Sequence, residues 1–295
     1  MGRNVLISGG TGLVGREISE LLTSKGYTVA VLSRQKHIPG VKSFYWDYEN
    51  DILDEKAIVF ADSIIHLAGE NISAKRWTSK QKTKIVDSRV KTTQCLYAAV
   101  QKSEYKPSKI ISASAIGYYG STTSDSIFKE EDRPGTDFLA KTVVAWENAV
   151  DQFEALGLQV TKLRLGVVMS LKGGALPKML APLKFGFASP IGSGNQYIPW
   201  IALEDLARMF LFVLEKENTA NVYNAVHPQQ ITNRQIMKYL AKKKHRIYIP
   251  LGIPAFIFKI MFGEMAVILL EGSRVSAEKI EKDGFRFFHN EIPLI

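Results

Sequence analysis

Apolar and polar residues alternate in two ways along the first half of this chain. Short runs rich in β-branched residues are separated by longer segments in which apolar residues recur at helical spacing. We predict strands over residues 4–8, 28–32, 63–67, 109–113 and 160–165. We predict helices over about 13–25, 78–101 and 137–156. Because strands that alternate with helices form parallel βαβ units, this pattern predicts an α/β fold with a doubly wound parallel sheet.

The second half of the chain follows a different pattern. Residues 170–200 are rich in Gly and Pro, and we expect mobile loops over a ligand site there. Residues 201–295 show mostly helical spacing. We therefore predict a first domain over residues 1–169, followed over 170–295 by substrate-side loops and a smaller, mostly helical C-terminal part.

The most apolar stretch of the chain, residues 249–270, raises the question of a membrane span. A spanning helix needs about 20 consecutive, predominantly apolar residues. Pro, Gly and charged residues interrupt this stretch at Pro250, Gly252, Pro254, Lys259, Gly263 and Glu264. We therefore expect two short core or interface helices here, and no contact with a membrane.

A glycine-rich turn, "SGGTGLVGRE" over residues 8–17, lies between the first predicted strand and helix. In this context Gly9 permits a tight turn, Gly12 lets the backbone approach a pyrophosphate, and Gly15 lets the helix pack closely on the strand. The alternative is a plain tight turn without a ligand. We predict a Rossmann-like dinucleotide site, with cofactor contacts at Gly9, Thr11, Gly12, Leu13, Val14 and Gly15.

The end of the second strand indicates which dinucleotide is bound. An NAD site has an Asp or Glu about 20 residues beyond the glycine turn, but this chain has Ser33 and Arg34, with Lys36 nearby. A guanidinium binds a 2′-phosphate bidentately, which favours NADP over NAD. Arg34 as an ordinary surface residue is the alternative.

Polar residues near the ends of two further strands are weaker candidates for ligand-binding or catalytic residues. His66 opens "HLAG" at the carboxyl end of the strand over 63–67, where open α/β sheets bind ligands. A lone histidine there is more often a core residue than a catalytic one. Asp47 either accepts a hydrogen bond from an adenine amino group or is simply solvated.

Composition and charge narrow the class of protein. Of the 295 residues, 46% are hydrophobic and 23% charged, as in a globular protein with a large core, and the net charge is +9. The basic clusters at 74–91 and 242–246 lack the interleaved aromatics of single-strand binders, so we expect no nucleic acid partner. Cys95 is the single cysteine, which excludes an internal disulfide and a cysteine-based zinc cluster. We expect a cytoplasmic protein without a signal peptide or a bound metal.

Together these residues resemble a known family. The glycine turn, Ser33–Arg34, "LAGENI" over 67–72, Arg76–Trp77 and "PIGSGNQYIPWIALEDLA" over 190–207 are similar to the atypical epimerase-like group of extended short-chain dehydrogenase/reductases. The segment "LLEGSRV" over 269–275 resembles the small C-terminal domain of that group. The resemblance implies an NADP-binding fold with further cofactor contacts at Ser33, Arg34, Leu67, Ala68, Gly69, Glu70 and Arg89.

The catalytic residues of the wider superfamily are missing from the expected helix. That superfamily uses Tyr-x-x-x-Lys, in which the lysine lowers the pKa of the phenol. Anchoring on Trp146–Glu147 puts Leu139 and Val143 at these two positions, and shifting the register to use Lys141 puts Asp137 at the tyrosine position. Hydride transfer, if any, is therefore expected to be slow.

The turn after the strand over 109–113 contains the remaining candidates for catalytic residues. Counting back from the two tyrosines puts the superfamily's catalytic hydroxyl at Ser114, and Tyr118 is the candidate proton donor. Glu70, Asn71, Arg76 and Trp200 are possible pocket residues. Two functions stay open: an NADP-dependent oxidoreductase or epimerase acting on an unknown small substrate, and an NADP(H)-binding sensor or regulator. A homodimer through the long helices over 78–101 and 137–156 is possible.

Overall fold

A computed structural model describes residues 3–35 and 37–293 of the chain. The strands are β1 (Asn4–Ser8), β2 (Thr28–Ser33), β3 (Ser43–Asp47), β4 (Ile52–Leu53), β5 (Ser63–His66), β6 (Lys109–Ala115), β7 (Ile127–Phe128), β8 (Gln159–Leu165), β9 (Val167–Ser170), β10 (Gly173–Gly174), β11 (Phe187–Ala188), β12 (Trp200–Ala202), β13 (Val222–Ala225), β14 (Ile247–Tyr248) and β15 (Arg274–Val275). The α-helices are α1 (Leu13–Ser24), α2 (Lys56–Phe60), α3 (Ser79–Lys102), α4 (Phe138–Asp151), α5 (Leu176–Leu180), α6 (Leu203–Glu215), α7 (Asn233–Lys243), α8 (Ala255–Phe262), α9 (Val267–Leu270) and α10 (Glu278–Lys282).

One large sheet carries the fold, with strand order β13-β8-β6-β5-β1-β2-β3-β4. All neighbouring pairs are parallel except β3 and β4. The strand order reverses between β1 and β5, which is the switch point where ligands of such sheets bind. The predicted doubly wound α/β fold is therefore confirmed, and the five predicted strands and the first two predicted helices lie within about two residues of their observed positions. The third predicted helix, over 137–156, ends as an α-helix at Asp151 and continues as the 3-10 helix Gln152–Leu156.

The core lies on both faces of this sheet. The central strands have consecutive buried apolar residues, such as Ile64 with Ile65 and Ile110 with Ile111, as expected for a sheet covered on both sides. Because β1 to β2 and β5 to β6 run in opposite directions across the sheet, crossovers of one hand place α1 and α3 on opposite faces. Helix α1 packs against α6, and α3 packs against α4.

The part of the chain after residue 169 both completes the large sheet and covers its carboxyl edge. Strand β13 pairs with β8 at the end of the large sheet. Three small sheets lie outside it: β10-β9-β12, β11-β14 and β15-β7. The predicted helical character of this part is confirmed, although three of its helices, α8, α9 and α10, are shorter than nine residues.

The apolar stretch over 249–270 forms short helices that are only partly core, and the interface alternative for the exposed part stays a prediction. Met265 and Ala266 are buried, but α8 has no buried residue, and Phe256 and Ile260 are exposed. Helix α8 contacts the segment over 263–266, and its Phe262 packs on the buried cluster of Trp77, Ile85 and Met265. Within the described part of the chain, no helix is long and apolar enough to cross a membrane.

Candidate functional site

The glycine-rich turn at the end of β1 is shaped by close backbone contacts. Gly9 has φ +71°, a conformation that disfavours residues with a side chain. A methyl group on Gly15 would lie 2.4 Å from the carbonyl oxygen of Gly9, so the helix approaches the turn as closely as the sequence indicated. On Gly12 the nearest atom to such a group is 3.3 Å away, and the side facing away from the protein is open.

The N-terminus of α1 at this turn is available to an anion. Gly12 is the N-cap and offers no side-chain hydrogen bond, so the first amide groups of the helix, at Leu13, Val14 and Gly15, have no cap. Such amides and the helix dipole favour phosphate groups. Thr11 lies exposed beside them. The β9–β10 hairpin lies across the helix start, where Gly173 contacts the Leu13 side chain.

A buried chain of hydrogen bonds holds the loop after β5 beside the glycine turn. The Ser8 hydroxyl lies 2.6 Å from Nδ1 of His66, and Nε2 of His66 lies 3.0 Å from the Thr93 hydroxyl. The Ser8 oxygen also accepts hydrogen bonds from the amides of Leu67 and Ala68. Burial lowers the pKa of His66 to about 4, so its imidazole is neutral near pH 7. His66 is thus a structural residue, in keeping with the core interpretation.

The end of β2 presents an exposed arginine. Ser33 accepts a hydrogen bond from the amide of Gln35, and Arg34 is exposed at the start of the following loop. The candidate Lys36 lies outside the described residues. The carboxylate of Asp47 accepts hydrogen bonds from the Asn50 side chain and the Glu49 amide, and these, with a contribution from Arg34, lower its pKa. Asp47 thus caps its own turn.

Arg89 on α3 forms the wall behind the loop over 67–70. Its guanidinium donates hydrogen bonds to the carbonyls of Glu70 and Ile85 and lies 5.2 Å from the ring centre of Trp146. Burial lowers the pKa of Arg89 to about 10, opposed by the negative charge of Glu70. A methyl group on Gly69 would lie 3.3 Å from that guanidinium. The structure therefore brings Gly69, Glu70 and Arg89 together.

Helix α4 confirms that the Tyr-x-x-x-Lys positions carry apolar residues. Leu139 and Val143 pack against Gly117 in the short 3-10 turn Ile116–Tyr119, where their side chains lie 3.5 and 3.8 Å from the position of a Gly117 methyl group. No phenol or ammonium group projects from these positions.

The predicted catalytic hydroxyl, Ser114, belongs to a buried ionic network. Ser114 is 3% exposed and donates a hydrogen bond of 2.5 Å to Glu147. Arg164 holds the same carboxylate bidentately, at 2.8 and 2.9 Å. The proton of Ser114 is therefore engaged inside the protein. The sequence reasoning missed Glu147 and Arg164, although charged residues at alternating positions of the apolar strand β8 were a visible signal.

The two tyrosines of the 3-10 turn have different surroundings. Tyr119 is buried, donates to Asn224 at 2.7 Å and accepts from Arg164 at 3.1 Å. Burial raises its pKa to about 12, which makes it a poor proton donor. Tyr118 is half-buried, and the Arg164 guanidinium lies 3.4 Å from its ring centre. Of the two, Tyr118 is the one that solvent or a ligand can reach.

The other possible pocket residues are dispersed. Trp200 is fully buried and stacks on His227 at 4.2 Å, so its interpretation as a pocket residue is wrong. The Asn71 side chain accepts hydrogen bonds from Ser73. Arg76 is exposed and lies against Gly263.

The fold and turn define an α/β protein of the dinucleotide-binding class. The chain belongs to the NAD dependent epimerase/dehydratase family, which it matches over residues 5–225, and a domain of unknown function, DUF1731, matches residues 253–293. The resemblance to extended short-chain dehydrogenase/reductases with an appended C-terminal domain is thereby confirmed.

Individual relatives cover nearly the whole chain. Epimerase family protein YfhF of Bacillus subtilis (strain 168) is 33% identical over 98% of this chain and 95% of its own. The crystal structure of human epimerase family protein SDR39U1 (isoform 2) with NADPH has a TM-score of 0.84 and 29% identity, covering 98% of this chain and 96% of that one. A nucleoside-diphosphate sugar epimerase from Corynebacterium glutamicum has a TM-score of 0.80 and 30% identity, covering 99% of this chain and 57% of that one.

Proposed function

We propose that this chain binds NADP(H) in preference to NAD(H). The observation that carries the proposal is the open glycine turn at the start of α1, with Arg34 exposed at the end of β2. The open side of Gly12 fits a pyrophosphate, and the Arg34 guanidinium fits a 2′-phosphate. The human relative SDR39U1, crystallised with NADPH, supports this choice.

The test of cofactor choice is the substitution Arg34→Ala. Loss of a charge-assisted bidentate contact lowers the affinity for NADPH about ten- to a hundredfold, or roughly 1.5–3 kcal/mol, and leaves the affinity for NADH nearly unchanged. Calorimetric titration of both cofactors measures this, with the exposed Arg133→Ala as matched control. Equal affinities of the wild type for NADPH and NADH would contradict the proposal.

We further propose that the protein is an oxidoreductase or epimerase-like enzyme acting on a small substrate. When bound, the nicotinamide supplies or accepts a hydride. Tyr118 is the candidate proton donor, because its phenol is reachable, whereas that of Tyr119 is buried. Ser114 must turn away from Glu147 to reach a substrate oxygen. Without a Tyr-x-x-x-Lys pair, we expect turnover about 10²–10⁴-fold slower than in relatives that have it.

Single-turnover oxidation of NADPH with a panel of carbonyl compounds tests these residues. We expect Tyr118→Phe to lower the rate and the control Tyr119→Phe to leave it nearly unchanged. If Ser114 acts on substrate, Ser114→Ala lowers the rate while the NADPH affinity stays the same. Fast turnover that survives both Tyr118→Phe and Ser114→Ala would show that other residues carry the chemistry.

The second candidate function is an NADP(H)-binding sensor or regulator without catalysis. The observation in its favour is the apolar packing of Leu139 and Val143 at the positions of the missing pair. Tight NADPH binding without turnover of any carbonyl compound would support it. A cytoplasmic location and a homodimer through α3 and α4 stay predictions.

A further inference from the structure

A group of large apolar side chains lies exposed on the C-terminal half of the molecule. Strand pairing places Phe187 beside Ile247, and Ile249 and Leu251 follow at alternating positions of the same extended segment. Leu251 is 79% exposed and Ile247 72%. With neighbours in the 3-10 turn before β11 and in α8, they form what we call the apolar patch: Phe185, Phe187, Ile247, Ile249, Leu251, Phe256, Ile260 and Met261.

Backbone hydrogen bonds tie together the chain segments that carry the apolar patch. The amide of Ile249 donates to Ala188 at 2.8 Å, and the amide of Ile253 donates to Pro190 at 2.8 Å. Helix α8 begins two residues later and has no buried residue. Phe256 and Ile260 lie four residues apart and therefore share one face of this helix. Exposed apolar surfaces of this extent mark sites of interaction.

Positive charge predominates around the apolar patch, although Glu264 closely follows α8. The two segments that carry it, over residues 155–203 and 218–263, contain no Asp or Glu. They contain five and seven Lys or Arg residues respectively, of which Lys162 and Arg164 are buried on β8 and do not border the apolar patch. Lys242, Lys244 and Arg246 are exposed immediately before Ile247. Lys243 pairs with Glu291, at 3.3 Å. The apolar patch is thus bordered by cations.

We propose that the apolar patch and its basic border bind the surface of an anionic lipid bilayer. Apolar side chains beside lysines and arginines can enter the boundary between headgroups and acyl chains while the cations contact acidic headgroups. A symmetric contact with a second copy would bring two basic borders close together, which disfavours self-association. Pro250 and Lys259 interrupt a membrane span, but they do not prevent a surface from lying on a bilayer.

Flotation of the full-length protein with vesicles tests the proposal. We expect binding to phosphatidylcholine vesicles that contain about 30% phosphatidylserine, no binding to pure phosphatidylcholine, and weaker binding as salt screens the charges. Leu251→Asn with Ile260→Asn should abolish binding, whereas Val59→Asn, an exposed apolar control on α2, should not. Lys242→Gln with Lys244→Gln should lower the partition coefficient about 25-fold, since each basic residue contributes about fivefold. The matched control pair is Lys102→Gln with Lys106→Gln.

The outcomes separate the possible partners. Retention of vesicle binding by the Leu251 and Ile260 double variant would overturn the proposal. Sedimentation of the wild type as a dimer that this variant converts to a monomer, without vesicle binding, would assign the apolar patch to self-association instead. Absence of vesicle binding by a monomeric wild type would likewise overturn the proposal and leave an acidic protein as the partner to seek.

Discussion

At the scale of single residues, hydrogen-bond direction fixes the state of the buried His66. The Thr93 hydroxyl donates to the carbonyl of Arg89 at 2.6 Å, so its oxygen accepts the proton of His66 Nε2. Nδ1 then accepts from Ser8, whose oxygen in turn accepts the amides that shape the cofactor loop. Only a neutral imidazole satisfies this chain, because a second ring proton would face the Ser8 hydroxyl proton.

The first prediction at this scale concerns pH. His66 has a pKa of about 4 in the folded protein against 6.5 unfolded, so its stabilising contribution is complete above pH 6.5 and decreases as the pH falls towards 4. Between pH 7 and 5 the wild type should lose about 2 kcal/mol more of unfolding free energy than His66→Gln. Urea denaturation at both pH values measures this. The exposed His37→Gln is the control, and an equal pH dependence in His66→Gln and wild type would contradict the prediction.

At the scale of elements, the start of α1 shows why Gly12 and Gly15 have different roles. Gly15 lies against the backbone of the turn, whereas Gly12 faces open space on one side. Spacing alone suggested both roles, and the observed contacts agree with them. The placement of α1 against β1 therefore depends on Gly15, and access to the helix N-terminus depends on Gly12.

The prediction for this element compares two single methyl groups. Gly15→Ala should destabilise the protein by about 1–3 kcal/mol, because its Cβ would overlap the Gly9 carbonyl and shift the helix. Gly12→Ala, whose methyl group would lie 3.3 Å from the Gly9 carbonyl oxygen, should destabilise the protein less than Gly15→Ala but weaken NADPH binding, because this methyl group lies at the proposed phosphate site. Urea denaturation and calorimetry on both variants measure the two effects. A Gly12→Ala variant with full NADPH affinity would argue against phosphate at this turn.

At the scale of the whole molecule, local signals predicted the sheet better than the site. The strands of the first half appear in the sequence as short apolar runs and its helices as helical spacing, since burial of each element is reflected in its own residues. Strands of two residues, such as β11 and β14, have too few positions for a period to show. The burial of Trp200, and the engagement of Ser114 with a carboxylate 33 residues later, depend on pairing between distant segments. No spacing rule encodes such contacts.

The same network spans the molecule, and this leads to the last prediction. Arg164 on β8 pairs with Glu147 on α4, and Asn224 on β13 joins the network through Tyr119 and donates to the carbonyl of Ser276 at 3.2 Å.

Glu147→Gln leaves the charge of Arg164 buried without a carboxylate in contact, so we expect a loss of about 3–5 kcal/mol in unfolding free energy. The exposed pair of Asp87 with Lys91, four residues apart on α3, supplies the control: Asp87→Asn should leave the unfolding free energy nearly unchanged. Urea denaturation at pH 7 measures both, and equal losses would show that the network contributes no more than a surface ion pair.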